Sequence, residues 1–506
     1  MENSFESFKD PIDEDEAVLN QMGYKQELYR GFSSLMNFSF CFTAVAVVSS
    51  LSGLFPTAMA TGGPVVIIWS WIVGSLLTYV VAANLAEICS TYPSAGSVYH
   101  WSGMMCTEKH SPFISYVTGW FNFIGNGAAD AFFANAFAAT LNALIETCGY
   151  PSLSVYATTA IAGAVLVVWT VQNFLRIDIQ GVINNFAAFW QIGTLLTIIG
   201  TLWATCSSSV SGTATNSQMF FTFYNGTGFE SVLYVCMIGM LSTLYSFTGY
   251  EAAAHMSEET RHAKKSAPYG VIYTVLVSSV VGFLYLLGLL YPTANDVESF
   301  VSQELSVNSI FEMCAGNSLA ILLSFLLTVN MYFSGSSSTT VTGRIAFAMA
   351  RDGAFPYSEK IKFIGSNSHA PIGAVTFVLI VDLVLISLNL FSETAFVAIT
   401  SLATIGFQLS YAIPIGLRAS STDFEKSEFN LGNYGRITAG LSCAWLTITS
   451  CLFILPTSYP ITSENMNYTG IVLLGCAIIG GLHWSLSARK WFVGPKRHHK
   501  ETLDNI

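Results

Sequence analysis

The sequence predicts an all-α polytopic membrane protein, and three observations predict it. Hydrophobic residues fill 52% of the 506 positions and charged residues only 10%, too few charges to cover the surface of a water-soluble chain of this length. About a dozen apolar stretches each supply the roughly 20 residues needed to cross ~30 Å of hydrocarbon. With the N-terminus placed in the cytosol, all 20 lysines and arginines fall on one side of the bilayer, the asymmetry that sets orientation in membrane proteins.

Residues 1–29 form a polar cytosolic tail, acidic at Asp13, Glu14, Asp15 and Glu16. No short apolar segment with a cleavage site precedes the first span, so no removable signal peptide is expected. The membrane domain covers 30–491, beginning with Gly31 to Ala60, which serves as the insertion signal. Pro64 to Ala86 returns the chain to the inner side, where Lys109 follows. Pro112 to Ile145 and Val155 to Leu175 enclose Glu146 outside and lead to Arg176 inside. Val182 to Ala204 and Ser231 to Ala254 lead to Arg261, Lys264 and Lys265. Tyr269 to Tyr291 and Ser318 to Met349 enclose Asp296, Glu298 and Glu304 outside and reach Lys360 and Lys362 inside. Ile372 to Leu390 and Thr394 to Leu417 pass Glu393 and reach Arg418 and Lys426. Ile437 to Leu455 and Thr469 to Trp491 pass Glu464, and 492–506 form a second cytosolic tail. The net charge of −11 comes from the first tail and the outer loops; it points neither to nucleic acid nor to an anionic surface.

The ten cysteines show no CxxC pair and no His at metal spacing, which supports neither a zinc site nor a redox motif. Most read as small packing residues. Cys148 and Cys206 fall near outward ends, where an oxidising compartment would allow a disulfide. Sequons at Asn225 and Asn467 lie in outer connections and are the candidate glycosylation sites. A third, at Asn37, starts the first span and should be inaccessible.

Two spans are interrupted at corresponding places. In the first, Ala44 to Val48 meets Ser49-Ser50-Leu51-Ser52-Gly53; in the sixth, Leu241 to Leu244 meets Ser246-Phe247-Thr248-Gly249 before Glu251. Lipid does not tolerate the unpaired backbone groups that such interruptions leave unless they line a cavity. Matching breaks in two halves are the signature of an inverted-repeat transporter with its substrate at the breaks. Close helix packing through small residues is the competing explanation of either cluster alone.

Five motifs carry a resemblance. Gly23-Tyr-Lys-Gln-Glu-Leu precedes the first span, Gly62-Gly-Pro-Val-Val-Ile-Ile-Trp opens the second and Ala86-Glu-Ile-Cys-Ser-Thr-Tyr-Pro-Ser-Ala-Gly closes it. Phe247-Thr-Gly-Tyr-Glu-Ala-Ala-Ala-His-Met-Ser-Glu-Glu-Thr leaves the sixth, and Gly343-Arg-Ile-Ala-Phe-Ala-Met-Ala-Arg-Asp-Gly-Ala-Phe-Pro leaves the eighth. Over nearly its whole length the chain resembles the amino acid/choline transporter branch of the amino acid-polyamine-organocation superfamily. The resemblance implies a LeuT-type 5+5 inverted repeat with about twelve transmembrane helices, the repeats at about 31–204 and 231–417 and two extra helices in 437–491. It also implies a secondary transporter of amino acids or small amines. Choline, ethanolamine, 4-aminobutyrate or polyamine is the alternative substrate, and a non-transporting nutrient sensor the alternative class.

A zwitterionic substrate needs donors for its carboxylate and acceptors for its ammonium. The freed N–H groups and positive helix end near Ser50, Ser52 and Gly53 suit the carboxylate; freed carbonyls around Ser246 to Gly249, including Thr248, suit the amine. Phe247 matches an aromatic gate position by resemblance, although aromatics on such spans usually pack. The third span reads Gly125-Asn126-Gly-Ala-Ala-Asp130. An intramembrane carboxylate costs roughly 2.5 to 3.5 kcal/mol to insert and by default marks function. Asp130 therefore reads as a proton carrier, a counter-ion for a cationic amine or a hydrogen-bonded structural acid. Asp382, in a helix peripheral to the implied fold, reads as structural. Ser334 and Ser338 share one face of the eighth helix, where they either complete a sodium site or hold helices together. The fifth span has no lysine to replace a sodium ion, and family likeness favours protons.

At the inner mouth Arg30, Glu258, Glu259 and Asp352 bring opposite charges together, and the resemblance casts Arg30 and Asp352 as the cytosolic gate. No nucleophile, base and orienting group converge in the motifs, and His100, His255 and His369 lack metal-spaced partners, so neither enzyme activity nor a cofactor is expected. The expected partners are a small-molecule substrate and the bilayer, in a plasma membrane or else a vacuolar or other internal one.

Overall fold

The computed structural model describes residues 11–206, 212–303, 305–391, 393–422, 424–462 and 465–497. Glu304 and Glu464 lie outside the described residues.

Helix α1 (Pro11–Gln21) stands within the expected N-terminal tail. Helices α2 (Ser34–Val45) and α3 (Val47–Ala60) divide the first expected span, and α4 (Gly63–Thr91) follows. After α5 (Ser97–Met105) come α6 (Ser111–Thr147), α7 (Val155–Gln172), α8 (Ile177–Cys206) and α9 (Asn216–Phe221). The sixth span is cut into α10 (Val232–Gly239), α11 (Leu241–Ser246) and α12 (Ala252–His255). Then follow α13 (Ala263–Thr293), α14 (Val297–Ser302), α15 (Val307–Arg351), α16 (Ser358–Ile361), α17 (Ile372–Ser387), α18 (Glu393–Ser420), α19 (Gly435–Leu452) and α20 (Thr469–Leu486).

The ends have local causes. Ser33, Ser154 and Ser306 accept a backbone N–H of the first turn of α2, α7 and α15, satisfying one of the donors a helix start leaves unpaired. Pro64 and Pro112 sit in the first turns of α4 and α6, where a missing N–H costs nothing. Gly316, at φ 73°, interrupts α15, so its long apolar part begins just beyond that residue.

Among the described residues, nine helical segments are long and apolar enough to cross a membrane, while α18 and α19 occupy the tenth and eleventh expected spans. The chain is a multi-pass membrane protein. Leu76, Phe189, Leu284 and Ile479 stand exposed on its outer helical faces, as lipid contact requires. Inside, α6 packs on α15, α17 and α18, and α2 packs on α8 and α13.

Both interrupted spans are tied together at both ends. Thr61–Gly62 pairs antiparallel with Tyr224–Asn225 at one end. At the other, Phe32 N–H donates to the Glu259 carbonyl at 2.8 Å and Arg261 N–H to the Phe32 carbonyl at 3.0 Å.

One expectation is corrected. Cys206 forms its disulfide with Cys314, while Cys148 is an exposed free thiol. Helix α8 packs along α15, which brings Cys206, at the end of one, to Cys314, just before the Gly316 interruption of the other. Asn37 is fully buried, as its position required, and Asn225 is exposed on the hairpin. Asn467 is half-buried and donates to the carbonyls of Phe453 and Leu455.

Candidate functional site

The first break lies earlier than the serine and glycine run suggests. Ala46 adopts the left-handed conformation, φ 53° and ψ 44°, and separates α2 from α3, at a cost of about 1–2 kcal/mol for a residue with a Cβ. The amides that open α3 therefore belong to Val47, Val48 and Ser49; Ser50 N–H already bonds to the Ala46 carbonyl at 2.9 Å. Ser52 and Gly53 remain helical, and Ser52 Oγ turns back to the Val48 carbonyl at 2.7 Å and meets Tyr285 Oη at 2.6 Å. A serine that bonds its own helix need not break it.

The second break matches its expected place. After α11 the chain turns through Phe247, Thr248 and Gly249, whose φ is 82°, before α12 begins. Glu251 fixes this turn. It is fully buried, accepts from Asn122 Nδ2 at 3.1 Å and from Tyr411 Oη, and Tyr411 Oη in turn accepts Gly249 N–H at 3.2 Å. Sequence reasoning assigned Glu251 no role. Its position two residues after the mid-span Gly249 was the available signal.

A cavity of about 10 Å³ lies between the breaks, lined by Ala44 and Val45 of α2, Ser50 of α3, Asn126, Ala129 and Phe133 of α6, Thr248 and Gly249, Ser338 and Val341 of α15, and Phe407 of α18. It has room for about one water. Of the expected substrate residues, Ser50, Asn126, Thr248 and Gly249 meet here, joined by Ser338. Ser52 and Gly53 instead line a second cavity of about 500 Å³, together with Phe132, Asn135 and Thr140, a volume suited to a small molecule. Phe132 on the large cavity touches Phe133 on the small one, with ring centroids 5.4 Å apart. Phe247 packs flat on Trp71 at 4.5 Å and lines neither; Ser246 is buried beside it.

Asp130 stands one residue beyond Ala129, fully buried, with no hydrogen-bond partner on either carboxyl oxygen. The hydroxyls of Ser338 and Thr342 face it. Ser334 shares a 3.2 Å hydrogen bond with Ser49 of α3, and Asn330 Nδ2 reaches the same serine at 3.0 Å. The two serines thus do different things: Ser334 ties α15 to the first break, and Ser338 joins the cavity to Asp130.

Residues 35–477 match the model of the amino acid permease family. The chain belongs to that family. It is 34% identical to the amino-acid permease BAT1 of Arabidopsis thaliana over 97% of this chain and 98% of that protein. It is 32% identical to the BAT1 homolog of Oryza sativa subsp. japonica over 95% of each, and 27% identical to an uncharacterized amino-acid permease of Schizosaccharomyces pombe over 98% of this chain and 92% of that one. The permease is an amino acid transporter and not an enzyme.

Opposite charges do converge around Glu258 and Glu259, but with partners other than those expected. Arg344 and Arg351 of α15 pair with Glu259 and Glu258 at 3.0 and 2.8 Å. Seven residues apart, they share one helix face. Asp352, next in sequence to Arg351, points elsewhere and accepts from Tyr24 Oη and Tyr99 Oη, both at 2.9 Å. Arg30 donates to the Ser257 and Thr260 carbonyls at 3.1 and 2.6 Å and lies 3.8 Å from Asp15. Arg30 and Asp352 therefore do not form the expected pair.

Burial decides the carboxyls differently. It pushes Asp352 up to about 6 despite Arg351 and the two tyrosines. Burial would also raise Glu258, but Arg351 outweighs it and holds that carboxyl below the ordinary value. For Glu259, burial outweighs Arg344 and the carboxyl lies above its ordinary value.

Proposed function

We propose that the permease carries a zwitterionic amino acid between its two helix breaks by alternating access, driven by protons. The observation that carries this reading is the meeting of Ser50, Asn126, Thr248, Gly249 and Ser338 around one cavity. The opening turn of α3 offers unpaired N–H groups and a positive helix end to a carboxylate. The turn of the second break offers polar backbone to an ammonium, with Ser52, Gly53 and Phe132 lining the approach. The cavity is too small for any amino acid, so binding must separate the elements around it. That motion is what alternating access requires.

In this reading residues 31–204 and 231–417 are the inverted repeats, and 437–491 supply the two extra helices. Both termini face the cytosol, in a plasma membrane, and exposed Asn225 carries a glycan where the compartment adds one. The inner ion pairs form the closed cytosolic gate, with Arg344 and Arg351 carrying the larger share. Asp130 releases and rebinds the coupling proton, while Ser334 serves packing.

Counter-flow of labelled amino acids in proteoliposomes tests the function, because a sensor binds without exchanging. Exchange of at least one proteinogenic amino acid is expected; binding without exchange would refute transport. Cysteines introduced at Asn225 should label from outside intact cells and those near Lys264 should not. Outside labelling at Lys264 would reverse the topology.

A further inference from the structure

Asp130 does not stand alone. Asp382 of α17 is also fully buried, and neither of its carboxyl oxygens has a hydrogen-bond partner. The two carboxyls act on each other electrostatically. A methyl group added at Gly127, one turn before Asp130 on α6, would lie 3.7 Å from Asp382 Oδ1, which places Asp382 against the same helix face. The remaining polar neighbours are few. Ser338 and Thr342 of α15 face Asp130, and the Tyr245 hydroxyl of α11, itself buried and without a partner, lies within its electrostatic reach. Among the described residues no lysine, arginine or histidine acts on either carboxyl.

Two carboxylates in one dry pocket cannot both ionise, and neither has a cation or a set of N–H donors to compensate it. Protons must therefore do so. We infer that Asp130 and Asp382 form a shared proton-binding site, linked through Ser338 to the cavity between the helix breaks. The pair cycles between two carboxylic acids and one acid with one carboxylate. One proton is taken up from water on one side and given up on the other, and only an O–H bond forms or breaks. Ser338 lines the cavity and faces Asp130, so what enters the cavity changes the solvation of the pair. This inference deepens the proton-driven reading and rests on it for its role in transport.

The full-length protein in proteoliposomes provides the test, with Asp382→Asn as the isosteric variant. Infrared pH-difference spectra read the carboxylic-acid carbonyl band directly. Above the protonation step of the pair, the wild-type minus Asp382→Asn spectrum should retain the carbonyl band of the one carboxyl that stays protonated, because the single carboxyl left in the variant ionises without an opposing charge. No retained band would overturn the shared site; Asp130→Asn provides the reciprocal measurement should Asp382→Asn not fold. The initial rate of amino acid uptake under an imposed pH gradient is read on the same vesicles and should fall several-fold in the variant, whose lone carboxyl holds the proton without a partner. If wild type is driven and Asp382→Asn is driven equally, the inference fails while proton coupling stands. If wild type is not driven at all, proton coupling fails, and the infrared band still decides whether the pair shares protons.

Discussion

Buried charge follows opposite rules in two regions of this molecule. At one end of the molecule Glu258, Glu259 and Glu87 each hold an arginine, and Asp352 holds two tyrosine hydroxyls. In mid-helix, among the described residues, Asp130 and Asp382 hold no cation, and only the Ser338 and Thr342 hydroxyls face Asp130. A partnered charge fixes two elements in one arrangement, since breaking the pair strands a charge in a dry interior. An unpartnered carboxyl can be relieved only by a proton or by what enters beside it. In the proposed reading the first arrangement builds a closure, the second a site that changes state. Glu251 lies near the second region in space but belongs to the first in kind, because Asn122 and Tyr411 hold it.

The largest expected effect breaks the partnered region. Arg344→Ala leaves Glu259 buried without its cation and should lower unfolding stability by about 3–5 kcal/mol, read by thermal or denaturant unfolding in detergent. A loss below about 1 kcal/mol would mean that the pair is open to water. Next comes the second break: Tyr411→Phe strands both Gly249 N–H and a Glu251 oxygen and should cost about 1–3 kcal/mol, together with a loss of uptake. Uptake and stability both at wild-type level would detach this network from the site.

A smaller effect is expected at Gly249, where an added Cβ meets no atom within 4 Å. The strain is conformational alone, so Gly249→Ala should cost about 1–2 kcal/mol, whereas Gly249→Asn, which tolerates the left-handed region better, should cost less. Equal losses would point to a steric cause. The smallest effect is a coupling near zero. Because Arg30 and Asp352 share no contact, the conformational shifts caused by Arg30→Ala and Asp352→Ala should add within about 0.5 kcal/mol. In contrast, Arg351→Ala and Glu258→Ala should be clearly non-additive. Strong coupling between Arg30 and Asp352 would restore them as the gate pair.

Much of this was legible in the sequence. Length and apolarity placed the helices to within a few residues, and a glycine with positive φ marked the second break. The first break was displaced because the residue that bends is an alanine, which carries no signal, while the conspicuous serines stay helical, Ser52 bonding back to its own helix and Ser49 across to α15. Arg30, Glu258, Glu259 and Asp352 were recognised as a group, but Arg30 was paired with Asp352, since pairing depends on which helix face each side chain occupies. Cys314 was missed as a disulfide partner because only the packing of α8 along α15 brings it to Cys206. Asp382 was read as structural, and a peripheral helix gave no hint that its carboxyl lies against α6 beside Gly127.

The central claim is that the unpartnered acids exist for work and not for stability. It is tested most directly by the double variant Asp130→Asn with Asp382→Asn, measured for melting temperature and for pH-driven amino acid accumulation in the same preparation. Two neutral amides remove the need for bound protons, so the account predicts a melting temperature at or above that of the wild type, with accumulation lost. A double variant that melts well below the wild type while its folded fraction still accumulates substrate would show that the pair holds the helices together and carries no proton.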